Sequence, residues 1–115
     1  MAKDQGLAPG DVVVMELPSS DGHEQSGMRP SIVITSVTKG VVVAIPLTTN
    51  KSALDFPHSI FIKPTKINKL AFESVALVLQ VRSIDIKRCA SKLGKLENND
   101  FKKIKSELKK YLGLN

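Results

Sequence analysis

The sequence predicts a mainly β protein with one α element: a small barrel or half-barrel of five or six short strands, with an amphipathic helix laid against it. Three observations carry this expectation. Short apolar runs rich in Val, Ile and Leu recur between clusters of Gly, Pro, Ser and Asn, the pattern of strands and turns. Only the last stretch changes period, with apolar residues at three- and four-residue spacing. With 115 residues the chain has material for one core, hence one domain spanning 1–115.

In chain order, Pro9-Gly10-Asp11 turns a polar arm into a first strand at 12–17, apolar enough to be covered on both faces. Pro18-Ser19-Ser20-Asp21-Gly22 breaks it and opens a loop. Pro30 closes that loop and forces Arg29 into extended backbone before a second strand at 32–35. Thr38-Lys39-Gly40 reads as a tight turn into a third strand at 41–47, making strands two and three a hairpin. Pro46 cannot donate to a ladder and marks an edge, a bulge or the strand's end. A strand at 59–62 stops at Pro64, and 66–70 fits a turn of helix. The run 74–82 is the most apolar and reads as a single central strand, followed by a short extended piece near 89–93. Phe101, Ile104, Leu108, Tyr111 and Leu112 then line one helical face, with Asn98 or Asn99 as cap and Gly113 as terminator.

Composition narrows the function. A hydrophobic share of 42% with 24% charged residues is that of a folded globular protein. The opening residues contain no apolar stretch like that of a signal peptide, and no run is long enough to span a bilayer. Cys89 has no internal partner and reads as a small buried hydrophobe; a cytoplasmic protein is expected. Two histidines and one cysteine, far apart in sequence, make no metal-ligand cluster. Residues 1–86 hold eight Lys/Arg and eight Asp/Glu, whereas residues 87–115 hold nine and three, so the whole +6 sits at the end. Such an end suits a polyanion, whether nucleic acid or an acidic protein segment, and equally a solvated lysine-rich helix face.

The chemistry is concentrated in Gly22-His23-Glu24-Gln25-Ser26-Gly27-Met28-Arg29-Pro30. Taken alone, such a loop makes turns and caps. Yet His23 and Glu24 can exchange protons near neutral pH, and Arg29 can hold an anion in a two-pronged grip. Gly22 and Gly27 permit close approach of a ligand to the backbone. With no nucleotide-binding glycine pattern, side-chain acid–base chemistry is what remains. It suits cleavage of RNA by its own 2′-hydroxyl, which needs a base, a cation for the phosphorane charge and an acid for the leaving 5′-oxygen.

These residues resemble the MazF/PemK toxins, small endoribonucleases of bacterial toxin–antitoxin pairs. The likeness begins with Gly10-Asp11-Val12 and the loop 22–30. It continues through Pro46-Leu47-Thr48-Thr49-Asn50, then Glu73-Ser74-Val75-Ala76-Leu77 and Gln80-Val81-Arg82-Ser83-Ile84-Asp85. The resemblance implies an SH3-like (CcdB/PemK-like) barrel that dimerises and cuts single-stranded RNA without metal or cofactor. The cut would leave a 2′,3′-cyclic phosphate and a 5′-hydroxyl. It implies Arg29 and Thr48 as catalytic residues, with Glu24 and His23 beside them, and Gln25, Thr49, Asn50, Lys51, Gln80 and Arg82 as RNA contacts. It also implies an acidic antitoxin that folds over the active face. Leu79 stands where many members carry an acidic residue, and Leu77 where the PemK-like branch carries an arginine. Two other readings remain open: a gyrase-directed poison of the same fold, and an RNA-binding remnant that does not cut.

Overall fold

A computed structural model of the chain describes residues 6–18, 22 and 26–114. Strands β1 (Asp11–Leu17), β2 (Gly27–Val33), β3 (Val41–Thr48), β4 (Ser59–Ile62), β5 (Ser74–Leu77), β6 (Arg82–Asp85) and β7 (Cys89–Lys95) precede helix α1 (Asn98–Leu112). They pair in the order β4-β5-β3-β2-β1-β7, with β6 also paired to β3, in an open, barrel-like antiparallel sheet.

The predicted hairpin of β2 and β3 is present. Thr38 and Val41 exchange both backbone hydrogen bonds, 2.9 and 3.0 Å, around Lys39 and Gly40 at φ 53° and 76°. Two positive φ values in a two-residue loop match the twist of the strands it joins. The strand at 59–62 appears as expected, and the piece near Cys89 runs on to Lys95. Three expectations need correction, and one needs its extent stated. First, β2 begins at Gly27, so Arg29 and Pro30 lie in the strand. Pro30 is tolerated because the β2–β3 ladder ends one residue away, at Ser31 opposite Pro46.

Second, the run 74–82 is two strands, not one. A 3-10 turn at Val78–Gln80 separates β5 from β6, which pair with different ends of β3. Every residue of β5 is buried, so alternation is lost and an apolar run reports burial rather than shape. Third, the turn of helix expected at 66–70 is a single one, closed by the Lys69 N–H on the Thr65 carbonyl at 2.9 Å and not continued. These residues wrap around buried Asn68, whose Oδ1 accepts from Thr65 and Leu70 N–H at 2.9 and 3.0 Å and whose Nδ2 donates to the Lys63 carbonyl. Fourth, Asn98 is already helical, and Glu97 precedes the helix without a side-chain cap.

Gly113 ends the helix as expected, at φ 72°, with Gly113 and Leu114 N–H returning to the Lys110 and Lys109 carbonyls. Of the five apolar helix residues, only Phe101, Ile104 and Leu108 reach the core; Tyr111 and Leu112 are exposed. Ile104, fully buried, is worth about 1.5–3 kcal/mol. Two apolar clusters fill the two faces of the sheet. Val13, Met15, Val33, Val42, Ala44, Ile84 and Cys89 belong to one, and Val12, Ile32, Ile45, Leu47 and Ile104 to the other. Burial raises the Cys89 thiol above its usual pKa, in keeping with a packing role.

The most tightly specified contact is between β7 and the turn before β5. A Cβ added at Gly94 would lie 2.3 Å from the Ile67 carbonyl oxygen, which also accepts the Lys95 N–H at 2.9 Å. We expect Gly94→Ala to lower stability by about 1–3 kcal/mol, because backbone rather than a pliable side chain must move. Urea denaturation of the variant against the parent protein checks this.

Candidate functional site

The candidate site grows from the place where β2 and β3 part. Their ladder pairs Val33 with Ala44, Ile32 with Ile45 and Ser31 with Pro46, then stops. Beyond the last pair, strand alternation keeps Arg29 on the β2 face that carries Val33 and Thr48 on the β3 face that carries Ala44. Arg82 joins the same face from the other side of β3, being paired with Ala44. An otherwise apolar face therefore ends in a polar strip of Arg29, Ser31, Thr48 and Arg82.

Each member of the strip is held differently. The Arg29 Nε donates to the Ser26 carbonyl at 3.2 Å, which orients the guanidinium and leaves its terminal nitrogens as donors. Thr48 is almost fully buried, and its Oγ1 accepts the Asn50 N–H at 3.2 Å, so its own proton is left to give. Ser31 Oγ is buried with no hydrogen-bond partner among the described residues, an uncommon state for a hydroxyl.

Thr48 also opens onto a cavity of about 420 Å³. Its polar lining comes from Thr48, Asn50, Ser52 and Gln80, and its apolar lining from Ala53, Phe56, Pro57, Leu77 and Leu79. The Asn50 amide is oriented: Oδ1 accepts from the Ser52 N–H at 3.1 Å and hydroxyl at 2.7 Å, starting the 3-10 turn Lys51–Asp55. Its Nδ2 is left as a donor. Phe56 is half exposed beside this space, an uncommon place for one of only four phenylalanines.

The sequence-based candidates thus divide. Thr48, Asn50 and Gln80 come together at the cavity, and Arg29 and Arg82 join Thr48 on the strip. Thr49 and Lys51 line a second hollow of about 560 Å³ with Phe72 and Glu73 instead. His23, Glu24 and Gln25 lie outside the described residues. Sequence reasoning passed over Phe56 and Ser31. It noted Leu79 only as a departure from a pattern, and the structure places it in the cavity lining. The signal for Phe56 was an aromatic next to proline in a polar loop.

The comparisons with known proteins bear on this arrangement. The family described as PemK-like, MazF-like toxin of type II toxin–antitoxin system matches residues 8–112. The chain is similar to an endoribonuclease MazF of Staphylococcus saprophyticus, 32% identical over 111 residues, covering 91% of this chain and 90% of the relative. Among solved structures it is similar to a MazF of Deinococcus radiodurans, with a TM-score of 0.79 at 26% identity, covering 94% of this chain and 97% of that one. It shares its fold with a mycobacterial endoribonuclease solved in complex with its cognate antitoxin, with a TM-score of 0.73 at 19% identity, covering 96% and 97% of the two chains.

Lys51 is tied to Glu73, donating a hydrogen bond to Oε1. That bond and the ammonium charge hold the Glu73 carboxyl below 4.5. A carboxyl lowered by folding contributes stability above its unfolded pKa, and this is lost as pH falls through the lowered value. We expect Lys51→Ala to move the Glu73 titration up toward 4.5, read by NMR of the side-chain carboxyl.

Proposed function

The chain belongs to the PemK-like, MazF-like toxins of type II toxin–antitoxin systems, and on that footing we propose that it is an endoribonuclease toxin that cuts single-stranded RNA. The observation that supports the reading is Thr48 in the lining of a cavity of about 420 Å³, just past the last β2–β3 pair, with Arg29 on the β2 face that carries Ser31 and Val33. A phosphodiester fits the strip, and the cavity has the size and mixed lining of a site for an unstacked base.

In the proposed reaction the ribose 2′-oxygen attacks phosphorus and loses its proton to a base. The 5′-oxygen leaves with a proton from an acid, giving a 2′,3′-cyclic phosphate and a 5′-hydroxyl. Arg29, its Nε already engaged, offers the terminal nitrogens to the non-bridging oxygens, where charge builds in the phosphorane. Thr48 gives its hydroxyl proton to the same phosphate. His23 and Glu24 take the acid and base roles that their chemistry suits. Arg82 adds positive charge along the strip, and Asn50 and Gln80 contact the base; Gln25, Thr49 and Lys51 extend the RNA path. DNA, lacking the 2′-hydroxyl, is bound without being cut.

The same reading makes the protein a cytoplasmic homodimer, held in check by an acidic antitoxin segment that folds on this face. None of the described helices is long and apolar enough to cross a membrane.

We expect the purified protein to cut single-stranded RNA in EDTA and to leave 5′-hydroxyl ends. Arg29→Ala is expected to lower kcat by at least ~10²–10³, the loss seen when a charge-stabilising donor is removed. Thr48→Ala should lose on the order of 10-fold or more. The absence of cuts across a broad RNA pool would defeat the nuclease reading, and an unchanged rate in Arg29→Ala would take that residue out of the reaction. Circular dichroism of each variant checks that the fold is kept.

A further inference from the structure

Away from the polar strip, one side-chain cluster joins segments far apart in sequence. His58 Nδ1 lies 2.7 Å from Glu107 Oε2, with side-chain exposures of 28% and 24%. The imidazole also packs against the Tyr111 ring, centroids 5.2 Å apart and planes inclined by 58°. Lys110 Nζ stands 3.9 Å from the other Glu107 oxygen. His58 holds φ at 62°, a left-handed conformation that costs a side-chain-bearing residue energy and that the surroundings must maintain.

The position of His58 gives the cluster its meaning. Phe56 and Pro57 immediately precede it and line the cavity beside Thr48. Ser59, immediately after it, donates its hydroxyl hydrogen bond to the Leu54 and Phe56 carbonyls, at 3.1 and 2.9 Å. Helix α1 contributes no residue to the cavity lining. It nevertheless packs against the Val78–Gln80 turn, which supplies Leu79 and Gln80, and grips the far end of the Phe56–Pro57 wall through Glu107 and Tyr111. One helix therefore supports two parts of the lining from behind.

We propose that His58 and Glu107 are positioning residues for the substrate cavity, fixing the Phe56–Pro57 wall to α1 so that the RNA meets a preformed surface. This rests on the reading of the cavity as part of the RNA site. The pair touches neither the strip nor the cavity, so it acts on how well substrate is held and not on the reacting groups. An ordered wall spares the bound complex the entropy of ordering it.

Two measurements on Glu107→Ala, Glu107→Gln, His58→Gly and His58→Asn test this. The first is hydrogen exchange of the Ala53 and Phe56 amides, which donate to the Asn50 and Ala53 carbonyls at 3.1 and 3.0 Å, compared with amides of β1. Glu107→Ala and His58→Gly should speed exchange at Ala53 and Phe56 by about three- to tenfold with β1 unchanged. Glu107→Gln keeps an acceptor, and His58→Asn keeps a donor and tolerates the left-handed backbone, so both should stay near the parent protein. The second is steady-state cleavage of a fluorogenic single-stranded RNA carrying the sequence the parent protein is found to cut. KM should rise about three- to tenfold in Glu107→Ala and His58→Gly, with kcat within about twofold, and should return in His58→Asn. Unchanged exchange and KM in Glu107→Ala, exchange raised uniformly over the chain, or a loss confined to kcat would each overturn the proposal. If the parent protein cuts no RNA, the nuclease reading fails, and the exchange measurement still decides whether α1 fixes the wall.

Discussion

The architecture depends on one strand serving more partners than a plain ladder allows. β3 pairs with β2 through Ala44–Pro46, with β6 through Val41–Ala44 and with β5 only at Leu47 and Thr48. Pro46 falls between the last residue paired to β6 and the first paired to β5, where no neighbouring strand needs an N–H. Proline at this point therefore leaves no paired position on β5 or β6 short of a donor. Pro30 does the same on β2, one residue beyond the last pair with β3. Pro30 thus ends the β2–β3 ladder, and Arg29 and Thr48 lie beyond its last pair.

The rest of the chain braces the sheet that carries these residues. The two ends are joined at Asp11, which is fully buried. Its carboxylate accepts the Ala8 N–H at 2.8 Å and holds Lys92 and Lys95 at 3.2 and 3.1 Å. Both lysines remain about half exposed, so only one member of the cluster loses its water and the usual penalty of a buried ion pair is reduced. Leu96 N–H then bonds to the Gly10 carbonyl at 2.8 Å, and the Phe101 ring covers Gly10. Through these contacts α1 is seated on the face that holds Ile32, Ile45 and Leu47, opposite the face that carries the strip.

Local features were legible in the sequence because their causes are local. The Lys39-Gly40 turn, the strand at Ser59–Ile62, the helix and its Gly113 terminus each follow from residues a few positions apart. The division of the run at 74–82 was not, because burial on both sides erases the alternation that marks a strand, and the break answers to the two separate partners on β3. Asn68 was missed for a related reason: its side chain bonds to backbone groups on both sides of a single helical turn, which the residue types around it do not announce. At the site, residue types pointed to Arg29 and Thr48, but the strand faces they occupy follow from a register between strands and cannot be read from either segment.

Leu79 shows why a motif position and a physical position should be kept apart. By resemblance to the family it occupies a place where many members carry an acidic side chain, which invites the inference that the chemistry is impaired. In the structure Leu79 belongs to the cavity lining, along with Leu77, Ala53 and Phe56, and the strip of Arg29, Ser31, Thr48 and Arg82 lies on the face shared by β2, β3 and β6. Thr48 is the residue common to both. In the proposed reaction a carboxylate at position 79 would sit among apolar neighbours and would repel the phosphate that Arg29 is proposed to hold. Leucine removes that repulsion and enlarges the apolar surface against which a base can rest. On the proposed reading residue 79 therefore bears on what the cavity holds, and the charge-stabilising role proposed for Arg29 does not depend on it.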